Sequence, residues 1–196
     1  MAYEYAAKEN LYYSWLSSTS NDHWFPWLSQ SIQQAGHISK RIVLPEPNRP
    51  EFQHWQQALH MQIRELDKNT IIVAHGLGCI SVLHYLNQHF KNRGQKIKAG
   101  IFISGLKSKL PSRPELDDFI AQARLDSGLL QTKMPLSLQL VSSDDPYIPP
   151  PLALQFGHFI NAQIHVVKEA GHFMRQDGFT EFPQLWTLLQ PILVSG

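Results

Sequence analysis

The chain has 196 residues, of which 43% are hydrophobic and 11% aromatic, so residues 1–196 hold enough apolar material for one compact domain and too little for two ordinary ones. Seventeen Lys and Arg against sixteen Asp and Glu leave a formal charge of +1, and no basic run interleaved with aromatics could track a phosphate backbone, which excludes nucleic acid as the expected partner. A single cysteine, Cys79, excludes an internal disulfide framework. In chain order, the opening MAYEYAAKEN carries neither a basic leader nor a long apolar run, which together with the lone cysteine points to the cytoplasm. Short β-branched or aromatic runs then alternate with stretches of helical spacing. The spacing predicts strands at 11–15, 41–44, 70–74, 99–104, 136–142 and 163–167, and helices at 22–35, 51–66, 77–90, 152–160 and 181–193. Such alternation implies an α/β protein with a mostly parallel sheet of about six strands. Residues 107–134 break the alternation with Pro111, Pro114, Asp117, Asp118 and Gly128, and read either as a small cap over a site or as a plain crossover. The apolar runs IIVA and PILV fall far below the roughly 20 residues that span a bilayer, so no membrane contact is expected.

The strongest chemical signal is the apolar strand TIIV running into AHGLG at 74–78 and then into the helical run CISVLHYL. Strand, sharp turn and helix form the layout of a nucleophile elbow, which projects a side chain above the carboxyl edge of a sheet. A glycine-containing turn is by itself weak evidence, because glycine serves any turn that needs positive φ. Two later stretches supply context. SSDDPYIPP places Asp145 after a predicted strand, and EAGHF places His172 after the next one. The order elbow, acid, histidine is that of hydrolases in which the acid orients the imidazole and the imidazole takes the nucleophile's proton. Asp145 also reads as a helix N-cap, and Asp144 competes with it for either role.

Over nearly the whole chain the sequence resembles the YdeN-like, or retinoblastoma-binding protein nine-like, serine hydrolase family of the α/β-hydrolase superfamily. The resemblance is carried by DHWFPWL at 22–28, LPEPNRPEFQHW at 44–55, AHGLGC, the SGL after the fourth strand, SSDDPYIPP, and AGHFMRQDGFTEFP near the end. It implies a three-layer α/β/α sandwich and a Ser-Asp-His triad that falls on Gly76, Asp145 and His172, with glycine where the serine is expected. It also implies an oxyanion hole built from the Leu77 amide and from a loop at the end of the first strand. Ser14 and Trp15 stand in that loop in place of the family's His-Gly pair. Trp15, Trp24, Phe25 and Phe173 would suit a hydrophobic acyl group.

With no hydroxyl at residue 76 there is no attacking atom, and three readings follow. The chain is a non-catalytic pseudo-hydrolase that binds a small hydrophobic ester-like ligand or a protein partner; or it is a hydrolase of carboxylic-ester type in which Asp145 and His172 activate water, or another nucleophile serves; or it is an altered form of an active serine hydrolase. Cys79 lies three residues past the elbow, where it reads as buried filler in the first turn of the helix. His54, His60, His84 and His89 lack ligand spacing, so no metal is implied, and no phosphate-cradling loop implies a cofactor.

Overall fold

The computed structural model of the protein describes residues 9–13, 20–63 and 65–195. Its centre is a sheet of β1 (Glu9–Tyr13), β2 (Ile38–Arg41), β3 (Ile71–His75), β4 (Ala99–Ile103), β5 (Leu136–Ser142) and β6 (Gln163–Val167). The strands lie in the order β2-β1-β3-β4-β5-β6, and every described pair is parallel. Parallel neighbours need crossovers, and helices supply them: α1 (Phe25–Gln34), α2 (Phe52–Gln62), α3 (Leu77–Arg93) and α6 (Pro150–Phe159) each link two strands, while α7 (Pro183–Val194) follows the last strand and packs back on the sheet.

Side chains alternate across a strand, so a sheet buried on both faces reads as a continuous apolar run. All five residues of β3 and all five of β4 are buried. Ile71, Val73, Ala99, Ile101, Ile103, Leu138 and Leu140 pack with α1 and α7 on one face. Ile72, Ala74, Phe102 and Val141 pack with α2, α3 and α6 on the other. The result is a three-layer α/β/α sandwich.

One predicted strand is described only in part and another is displaced. The first includes 9–13, where its ladder with β3 runs from Asn10 against Ile71 to Tyr13 against Ala74, and the last two residues of the predicted 11–15 lie outside the described residues. The second occupies 38–41 rather than 41–44, because its pairing with β1 ends at Tyr12 against Arg41. Ile42 and Leu44 gave the misleading apolar signal. They are buried, but as a connection that inserts into the helix layer below the ladder.

Between β4 and β5 lie a turn of 3₁₀ helix and two short helices, α4 (Asp117–Gln122) and α5 (Ser127–Lys133). Asp126 opens α5 by accepting the Leu129 amide. Phe119 of α4 meets the rings of Phe52 and Trp55 at 5.1 Å each, so this segment is stitched to α2. Among the described residues no helix is long and apolar enough to cross a membrane.

Candidate active site

The site is built where the carboxyl ends of β3, β4 and β5 meet the loop after β6, the edge at which open α/β sheets place their ligands. β3 runs directly into α3, so one residue must turn the chain. That residue is Gly76, at φ 55° and ψ −125°, a conformation that L side chains adopt only under strain. Its amide donates to the Ile103 carbonyl at 2.8 Å and its carbonyl accepts from the Cys79 amide at 3.0 Å. Leu77 is the first residue of α3, so its amide has no intrahelical acceptor by position.

Asp145 lies in the turn after β5 and is almost fully buried. Its Oδ1 accepts the amides of Tyr147 and Ile148 at 2.9 Å each, while Oδ2 accepts the Ser104 hydroxyl at 2.7 Å and Nδ1 of His172 at 2.7 Å. Burial alone would raise this carboxyl. The hydrogen bond and charge of His172, the Ile148 amide and the Ser104 hydroxyl outweigh burial and hold it below the usual carboxylate range. An ionised Asp145 fixes His172 as the Nδ1–H donor, leaving Nε2 as the basic nitrogen. The ring of His172 is fully buried.

The backbone of His172 is gripped from two further sides. Its amide donates to Oδ2 of Asp177 at 3.0 Å, an oxygen that also takes the Met174 amide at 3.0 Å. Its carbonyl accepts from Nε2 of His75 at 2.9 Å, and the two imidazoles lie 4.6 Å apart at 33°. Burial, then the proximity of His172 and of His23, pushes His75 well below the ordinary imidazole value, so it is the neutral Nε2–H tautomer. Asp144 works beside this frame: its Oδ1 accepts the Gly171 amide at 2.9 Å and the Ser142 hydroxyl at 2.7 Å.

The structure therefore separates the two aspartates that compete in the sequence. Asp145 takes the imidazole and Asp144 ties down the histidine loop. Neither caps α6, whose N-cap is Pro149 with no side-chain bond. Gly76 stands next to His75, which binds His172. Trp24 is fully buried, donates from Nε1 to the Phe173 carbonyl at 3.0 Å and lies 6.0 Å from the His75 ring. Phe25 and Phe173 share its apolar cluster. Ser14 and Trp15 lie outside the described residues. Cys79 is buried in the first turn of α3 with Sγ 3.6 Å from the Ile103 carbonyl; burial pushes its thiol well up, so no thiolate is available. Among the described residues no group of three His, Cys, Asp or Glu side chains could hold a metal ion.

Three residues of this constellation were not singled out from sequence: His75, Ser104 and Asp177. His75 and Ser104 each sit beside a motif glycine, in AHGLG and SGL, but nothing in those strings tells a packing residue from a hydrogen-bonding one. Asp177 ends a short 3₁₀ turn, Arg175–Asp177, whose position against His172 emerges only with the fold.

A parallel three-layer sandwich with a glycine elbow after its central strand and a buried Asp–His pair beyond the next strands is an α/β-hydrolase fold. Within that class the chain belongs to the serine hydrolase family, whose family model matches residues 13–191. It is 30% identical over 172 residues to YdeN of Bacillus subtilis (strain 168), a match covering 88% of this chain and 89% of the relative. The serine hydrolase RBBP9 of Rattus norvegicus is 22% identical over 174 residues, 88% of each chain. The crystal structure of the ydeN gene product from B. subtilis superposes with a TM-score of 0.87 at 26% identity, covering 96% of this chain and 100% of that one.

Proposed function

We propose that the chain is a non-catalytic member of the serine hydrolase family, in which Gly76 occupies the nucleophile position and Asp145 and His172 remain as the acid and base of the triad. The reading rests on one observation: the residue at the elbow, at φ 55° and ψ −125°, is glycine and has no side chain to attack with. Cys79, a potential nucleophile three residues past the turn, is a buried thiol with a raised pKa. In subtilisin, loss of the serine removes roughly a millionfold in kcat. What remains is a site whose Leu77 amide could still face a carbonyl oxygen, suited to hold a small hydrophobic ester-like ligand without turning it over, or to serve a protein partner. The lone buried cysteine fits a reducing cytoplasm.

One observation favours a second reading. The 2.7 Å bond from Asp145 to His172 is the arrangement a general base needs to deprotonate water. Hydrolysis of short-chain p-nitrophenyl esters by the unaltered chain and by His172→Ala separates the two. The proposal expects no rate above the protein-free blank from either, whereas turnover that disappears in His172→Ala would assign the chemistry to an activated water and overturn it.

A further inference from the structure

Ser104 follows β4, is buried to 1% exposure and has φ 45°, a left-handed backbone that favours glycine. A serine held there needs something in return, and such outliers gather where the side chain has a task. Its hydroxyl donates at 2.7 Å to Oδ2 of Asp145, the oxygen that also receives Nδ1–H of His172. Its amide donates to the Leu140 carbonyl at 3.0 Å, which fixes the direction of the side chain.

We propose that Ser104 is a positioning residue for the Asp145–His172 pair: by competing for the shared oxygen it sets the strength of the imidazole's bond and the charge on the carboxylate that faces it. The inference rests on the reading of Asp145 and His172 as the retained pair of the site. Two donors on one oxygen divide its negative charge, so each bond is weaker than it would be alone. The other titratable groups facing the pair are His75 at the end of β3, His23 before α1, Asp144 and Tyr147 in the turn after β5, and Arg175 and Asp177 after β6. None of these others donates to that oxygen.

The test uses the unaltered chain, Ser104→Ala and Ser104→Gly, the last removing the hydroxyl while relieving the left-handed backbone so that a folded protein is available. Two signals are read by NMR: the far-downfield Nδ1–H proton of His172 and the pH titration of the labelled Asp145 carboxyl. Loss of the hydroxyl is expected to move the Nδ1–H resonance further downfield and the carboxyl titration to higher pH, while Ser104→Cys, a weak donor, falls between. If both signals stay in place in either folded variant, Ser104 only fills space and the proposal is overturned. Because both are read with glycine at 76, their outcome is separate from that of the ester assay.

Discussion

At residue 76 the backbone and the chemistry pull in opposite directions. A side chain at φ 55° and ψ −125° is strained by on the order of 1–3 kcal/mol, which glycine avoids. Gly76→Ser should therefore lower Tm by a few degrees; an unchanged or higher Tm by calorimetry would mean that the elbow imposes no such strain. His75 gives a pH-dependent counterpart. Its folded pKa is depressed well below the ordinary value, so below about pH 6.5 the unfolded chain binds a proton that the folded chain refuses, and stability falls with acidification. His23 and His84 are shifted the same way by burial. Replacing His75 by Gln keeps an N–H for the His172 carbonyl but cannot titrate. We expect the slope of unfolding free energy between pH 5 and 6.5 to drop, by up to about 1.4 kcal/mol per pH unit toward the acid end; an equal slope in the two proteins would place the proton elsewhere. The carboxylates act at lower pH: Asp145, with its depressed pKa, contributes stability that is present above the unfolded value and lost as pH falls through the folded one. At this scale Asp145 and His172 were legible from their strings. Their partners His75, Ser104 and Asp177 were not, because a hydrogen bond between strand ends and loops leaves no periodic trace in sequence.

The elements bring these residues together by close packing. Helix α6 follows the Asp145 turn and lies tight on the sheet at Gly157. A Cβ there would stand 2.2 Å from Oε1 of Gln139 and 2.8 Å from Cδ1 of Ile164. Gln139 is fully buried and donates from Nε2 to the Ala153 carbonyl at 2.9 Å, so it cannot swing away without breaking that bond. Gly157→Ala should cost about 1–3 kcal/mol, read as a lower midpoint in urea. A midpoint that does not move would mean the helix can lift off the sheet freely. Elements of this kind were the most legible part of the chain: β5 and β6 fall at 136–142 and 163–167 as their apolar runs predict, and α3 begins at Leu77. It runs on to Arg93, three residues past the predicted end, and closes on Gly94 at φ 68°. Errors arose where burial and strand pairing part company, as at Ile42 and Leu44, and where helices are too short to establish a period, as in α4 and α5.

Across the whole molecule the parallel sheet and its crossovers converge four distant segments on one edge: the elbow at 76, the end of β4 at 104, the turn at 145 and the loop at 172. The order of these motifs along the chain was visible in sequence, and parallel strands with crossovers necessarily bring their carboxyl ends to a common edge. What the order could not supply was convergence in detail, such as the grip of His75 and Asp177 on the backbone of His172. The central claim is that Gly76 occupies the nucleophile position of a frame whose acid and base remain. Labelling with a serine-directed fluorophosphonate, followed by mapping of the adduct, tests it most directly. The unaltered chain should take no label, and Gly76→Ser should take one at residue 76 that is lost on adding His172→Ala. A folded Gly76→Ser protein that takes no label would contradict the account, because residue 76 would then not present its side chain to an activating histidine.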